Sequence, residues 1–147
     1  MAPAVLLIAA TLLLRGLGAV GVGAFATWLD SARVALALMF FFTAAAHFNR
    51  MKEDLVRMVP PSFPNPRALV FVTGLLEIAG AIGLLVPSTR RLAAWALALL
   101  LIALFPANVS AAQCQLTLRG KPVTPLALRL PIQLLFLGLC LWIALAG

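Results

Sequence analysis

The chain has 147 residues, one domain's worth, of which 64% are hydrophobic and only 10% charged. Soluble domains carry about 25% charged residues, so a water-soluble fold of this size would expose large apolar patches. The net charge of +7 does not point to nucleic acid, because the basic residues sit between apolar runs and form no stripe with interleaved aromatics.

Five apolar segments follow one another, at 3–28, 32–48, 67–86, 92–112 and 125–146. Each is near the roughly 20 residues that span a hydrocarbon core. The pattern predicts an all-α integral membrane protein, a single transmembrane domain over 1–147. Lipid leaves backbone polar groups no partner outside their own helix, and the runs lack the period-2 alternation of a barrel strand.

In the first segment Arg15 interrupts the apolar run, and Gly16, Gly18, Gly21 and Gly23 weaken its second half. A signal peptide ending near Ala24-Phe25-Ala26 is the alternative. The absence of Lys or Arg at the extreme N-terminus favours a retained spanning helix. After the second segment, Met51, Leu55 and Met58 fall on one helical face, with Arg50, Lys52, Glu53, Asp54 and Arg57 around them. That pattern predicts a short helix lying on the membrane surface. Pro60, Pro61, Pro64 and Pro66 then stiffen the rest of the loop at 49–66. Ser88 and Thr89 supply an N-cap for the fourth segment. Inside that segment Pro106 frees the Ile102 carbonyl, and Asn108 is placed to satisfy freed groups or to reach another helix.

Orientation follows from the basic residues of the loops. Arg50, Lys52, Arg57, Arg67, Arg119, Lys121 and Arg129 lie on one side, and Arg33, Arg90 and Arg91 on the other. The richer side, with loops 49–66 and 113–125, is expected to be cytoplasmic, which puts the N-terminus inside.

Polar groups at membrane depth are costly, so each one asks for a reason. At about 1.5 Å per residue, His47 lies at the cytoplasmic edge, Arg129 roughly 5 Å deep, Asn108 roughly 6 Å, Gln133 roughly 11–12 Å, Glu77 about 14 Å and Arg15 about 17 Å. The expected result is a ladder of polar groups on the cytoplasmic side of centre. Glu77 shares a helical face with Thr73, Gly74, Gly80 and Ala81, which turns it toward a neighbouring helix. Arg15 and Arg129 are its candidate ion-pair partners. Such a pair serves packing register on one reading, and a proton or polar head group on the other. His47 is either a solvated boundary histidine or a proton relay and quinone hydrogen-bond donor.

The chain has two cysteines, Cys114 and Cys140, and one histidine. There is no CxxC or zinc spacing, and no metal site is expected. The cysteines fall near opposite ends of their helices, too far apart for a disulfide. No haem ligand pair, flavin motif or Fe–S set is present, and no autonomous catalytic motif is legible.

The runs His47-Phe48, Met58-Val59-Pro60-Pro61, Gly74-Leu75-Leu76-Glu77-Ile78-Ala79-Gly80 and Gly83-Leu84-Leu85-Val86-Pro87 resemble those of DoxX-like membrane proteins. So do Phe105-Pro106-Ala107-Asn108-Val109 and Arg129-Leu130-Pro131-Ile132-Gln133. The likeness covers about residues 28–145. It implies an antiparallel transmembrane four-helix bundle over 32–146 in a bacterial inner membrane, with 3–28 as one additional N-terminal hydrophobic helix. It also implies a link to membrane redox complexes, or to chaperone-like assembly of membrane partners. His47, Glu77, Asn108, Arg129 and Gln133 are the matching polar positions and the candidate ligand-binding cluster.

Three expectations follow. The first is a quinone-interacting accessory subunit of a membrane redox system, with Arg129, His47 and Gln133 as donors to a quinone and Glu77 handling the coupled proton. The second is a non-catalytic assembly or chaperone-like protein whose polar cluster is structural. The third, a small transporter, is disfavoured because the five segments show no inverted repeat. The lipid bilayer is the expected partner, a redox protein a further one, and glycine-rich faces permit a homo-oligomer.

Overall fold

The computed structural model describes residues 1–113, 117–118, 121–122 and 124–147, the two short stretches by backbone only. Cys114, Arg119 and the side chain of Lys121 lie outside the described residues, so the cysteine pairing and part of the 113–125 loop do too.

The chain is almost wholly helical: α1 Ala2–Ala19, a 3-10 turn Gly23–Phe25, α2 Trp28–Phe48, α3 Lys52–Met58, α4 Pro66–Leu85, α5 Arg90–Gln113 and α6 Leu126–Ala146. Between α5 and α6, Thr117–Leu118 pairs antiparallel with Lys121–Pro122. Every helix except α3 is long and apolar enough to cross a membrane.

The first two predicted segments need correction. Helix α1 stops at Ala19, not Trp28, and α2 begins at Trp28, not Ala32. Two local causes act. Gly21 has φ +106°, a left-handed conformation that ends a helix and that L side chains rarely adopt. Gly18 lets the returning backbone at Phe25 lie against α1, where a Cβ would strike it. Thr27 then caps α2, accepting from the Asp30 amide at 3.0 Å.

Helix α2 packs along α4, α4 along α5 and α5 along α6, while α6 also touches α2 and α1 lies along α2. Close approach depends on small residues. Gly80 sits against Leu97, and a Cβ on Gly83 would lie 2.7 Å from that of Ala93. The apolar core gathers toward the end of the molecule where α2 starts and α4 and α6 finish. Leu36, Phe40, Leu84, Leu97, Cys140 and Ile143 are all buried there. The polar side chains lie toward the other end.

At the core end, two arginines cap helix C-termini. Arg33 Nη1 donates to the Leu84 carbonyl at 2.8 Å, in the last turn of α4. Arg91 Nε donates to the Ala144 carbonyl at 3.2 Å, in the last turn of α6. Each satisfies an orphan carbonyl and sets a positive charge at the negative end of a helix dipole. Thr89 contributes in an unexpected direction. Its carbonyl accepts the first bond of α5, as an N-cap's does, but its hydroxyl donates backward to Gly83 O at 3.0 Å.

The short helix expected after the second segment is α3. Met58 is its buried residue, and Glu53 is exposed and bridges to Arg67 of α4 at 2.9 Å. Arg57 pairs with Asp54 one turn back.

Candidate functional site

The predicted polar ladder divides into two separate clusters, and Arg15 belongs to neither. The first cluster joins α2 to α4. His47, in the last turn of α2, and Glu77, mid-way along α4, are only 7% and 5% exposed. His47 Nδ1 lies 2.7 Å from the Val70 carbonyl. A carbonyl can only accept, so Nδ1 carries a hydrogen. Its Nε2 then faces Glu77 Oε1 across 3.6 Å, a charge contact longer than a hydrogen bond. Thr43, one turn before His47, donates to Glu77 Oε2 at 2.7 Å. Thr73 closes the group, its hydroxyl 2.9 Å from Leu69 O and 3.4 Å from His47 Nδ1.

Proton accounting follows from that geometry. With no proton between Nε2 and Oε1, a lone pair would face a buried carboxylate. With two, a buried cation would go uncompensated. One shared proton leaves either a neutral couple or an imidazolium–carboxylate couple, and both are electrically balanced.

Gly74 makes the arrangement possible. A Cβ there would stand 2.6 Å from His47 Cβ and 2.8 Å from its Cγ. The residue type at 74 therefore decides whether the imidazole can reach Val70 and Glu77. Phe48 and Phe71, 5.8 Å apart and edge to face, flank the histidine's side of this contact.

The second cluster joins α5 to α6. Arg129 Nη1 donates to Asn108 Oδ1 at 2.9 Å, Asn108 Nδ2 to Gln133 Oε1 at 3.0 Å, and Gln133 Nε2 to the Leu101 carbonyl at 2.6 Å. Arg129 Nε also donates to Thr124 O at 2.9 Å, tying the start of α6 to the preceding loop. The three side chains are half-buried. Pro106 sits inside α5 as predicted, but the carbonyl taken up across the interface is that of Leu101, one residue before Ile102. A proline ring disturbs the whole preceding turn, so the acceptor turned toward α6 need not be the one the ring orphans.

Among the described residues, no hydrogen bond or ion pair joins the two clusters. Two of the expected pairings are therefore corrected. Arg129 reaches Asn108 rather than Glu77. Arg15 does not meet Glu77 at mid-depth. Because α1 ends at Ala19, Arg15 lies about one turn from its end, where the guanidinium stands 5.6 Å from the centre of the Trp28 ring. That is the opposite end of α2 from His47.

The sequence left several partners unseen. Val70, Leu69 and Leu101 act through backbone carbonyls, which carry no side-chain signal. Thr43 and Thr73 differ: each stands four residues before His47 or Glu77, and that spacing alone places them on the same helical faces.

Two apolar grooves open on the surface. One, about 320 Å³, lies between α1, α2 and α6, with Trp28 and Trp142 in its wall. The other, about 480 Å³, runs between α4 and α5 past Gly80 and Gly83. Neither is lined by His47, Glu77, Asn108, Arg129 or Gln133. Among the described residues there is no group of three or more metal-ligating side chains.

A family model described as a domain of unknown function (DUF8561) matches residues 36–144. That stretch takes in both polar clusters and leaves out α1 with Arg15. No curated protein and no solved structure matches the chain.

Proposed function

We propose, for a chain that belongs to the DUF8561 family, a multi-pass membrane protein that assists assembly of a membrane partner and does no chemistry of its own. Its core is a four-helix bundle of α2, α4, α5 and α6, with α1 as an added helix. Loops 49–66 and 113–125 face the cytoplasm of a bacterial inner membrane. The count of seven basic residues against three supports that orientation. So does the use of Arg33 and Arg91 as carbonyl caps, a structural reason for two of the three. We extend the DoxX-like resemblance to this reading as part of the same proposal.

The observation that carries it is mutual satisfaction. Glu77 is taken by Thr43 and His47, His47 by Val70 O, and the Arg129–Asn108–Gln133 chain ends on Leu101 O. A binding site presents donors to a cavity, whereas these donors are spent on neighbouring helices. They act as polar fasteners between helix pairs. A partner would dock on the loop between Phe48 and Arg67, where Phe63 is exposed beside Pro61 and Pro64.

A second reading, the quinone-interacting redox subunit, is favoured by the shared proton of His47 and Glu77, since a quinone reduction consumes protons. One experiment separates the two: adding menaquinone or ubiquinone to the purified chain in detergent and recording its melting temperature. The assembly reading expects no shift, and a single stoichiometric partner that still co-purifies with Glu77→Gln and Arg129→Ala chains. A saturable upward shift abolished by those substitutions would replace it with the redox reading.

A further inference from the structure

The groove between α1, α2 and α6 has features that the assembly reading does not use. Its wall is apolar, formed by residues such as Leu7, Ala32 and Leu139. The one hydroxyl there, on Thr11, donates to its own helix at Leu7 O, 2.7 Å away. From Leu135 to Trp142 the groove follows α6 for about 10 Å at the helical rise. At one end stand two partly exposed tryptophans, Trp28 and Trp142. Tryptophan pairs of this kind mark the level of lipid head groups, with the hydrocarbon beginning just inside.

Arg15 sits at that same end, its guanidinium over the Trp28 ring. Among the described residues it makes no hydrogen bond or ion pair, and its Nε is buried without a partner. The nearest acid in sequence on α2, Asp30, is already held by Arg33 at 3.4 Å and by the Thr27 hydroxyl at 2.7 Å. Arg33 also has an unpartnered Nε, but it spends its terminal nitrogens on Leu84 O and Asp30, whereas those of Arg15 have no acceptor among the described residues and can gain one only from outside the chain. An uncompensated cation at the mouth and an apolar channel behind it complement an anionic amphiphile.

We infer that this groove binds one acyl chain of an anionic phospholipid, with the lipid phosphate on Arg15. The site rests on the membrane reading proposed above. The Trp28 ring holds the guanidinium from one side by a cation–π contact and leaves the N–H edge for the phosphate oxygens. The lipid in turn fills a gap between α1 and α6, and so fastens α1 to the rest of the bundle.

Tryptophan quenching by brominated acyl chains tests the site. The full chain carrying Trp95→Phe is reconstituted into phosphatidylcholine vesicles containing either brominated phosphatidylglycerol or brominated phosphatidylcholine. Trp28 and Trp142 then report contact. Phosphatidylglycerol is expected to quench with about fivefold preference, the ratio one basic contact at a membrane surface supplies. Arg15→Gln should bring that ratio to about one, and 1 M NaCl on the unsubstituted site should also shrink it. Ile8→Phe together with Leu135→Phe should reduce quenching by both lipids. Equal quenching by the two lipids in the chain with Arg15 intact overturns the site while leaving the membrane reading standing. A chain that does not sediment with the vesicles overturns both.

Discussion

Gly74 and Gly16 occupy helices of similar length, yet adding a methyl group to each has opposite consequences. At Gly74 the new Cβ would collide with His47, so Gly74→Ala pushes the imidazole off Val70 and Glu77. The expected cost is about 1–3 kcal/mol, the usual range for forcing extra volume into a packed site. At Gly16 nothing lies within 4 Å, so Gly16→Ala should stabilise by about 0.8–1 kcal/mol from helix propensity. Melting curves in one detergent check both, and a Gly74→Ala chain as stable as the parent would contradict the packing described for His47. Glu77→Gln should be milder than Glu77→Leu. Glutamine keeps an oxygen for the Thr43 hydroxyl, whereas leucine strands both Thr43 and His47 Nε2 in the interior. Glu77 was legible from sequence as an inward-facing residue because Gly74, Gly80 and Ala81 share its face. Its partner was not legible: counting from the cytoplasmic edge puts Arg15 within about 3 Å of its depth, but depth does not say which neighbour a side chain faces, and Arg15 turns to Trp28. Glycines signal a weak helix without saying at which one the chain turns back.

Helix ends and helix pairs carry the next level of organisation. The Gln133–Leu101 bond fastens α6 to α5 just before Pro106, so Gln133→Leu should loosen that interface. The expected loss is about 0.6 kcal/mol and at most about 1.7 kcal/mol, the average and the maximum for interhelical bonds inside membranes. Hydrogen exchange in the second half of α5 should rise more than in α2, and equal protection in both would argue that the bond is incidental. Arg33→Ala should cost a further increment of about 0.3–1 kcal/mol by leaving the last turn of α4 uncapped. The lengths of the apolar runs placed the later helices to within two residues of 67–86, 92–112 and 125–146, because the punctuation of such runs is almost all proline, glycine and charge. Pairing between helices was less accessible. Depth along the axis can be counted from sequence, but rotation about it and the choice of neighbour depend on packing, and so one inferred ladder became two clusters.

Across the molecule, polarity is graded: apolar packing and arginine caps at one end, two polar clusters and the α3 surface helix toward the other. Orientation can be read with single cysteines in a Cys114→Ser, Cys140→Ala background. Ser62→Cys should react with a membrane-impermeant maleimide only in inverted vesicles, and Ser88→Cys only in intact spheroplasts. The reverse pattern would overturn the proposed topology. The one-proton couple of His47 and Glu77 has an electrical corollary for a protein in an energised bilayer. Wherever that proton rests, the two side chains sum to zero charge. Its travel is bounded by the 3.6 Å between Nε2 and Oε1, about a tenth of a ~30 Å hydrocarbon layer. A full charge crossing the layer couples to voltage by about 2.3 kcal/mol per 100 mV, so this hop couples by about 0.3 kcal/mol at most, and by less because it runs sideways from one helix to the next. The couple can therefore hold two helices together at any resting potential, indifferent to the field that would drag a lone buried charge toward one face.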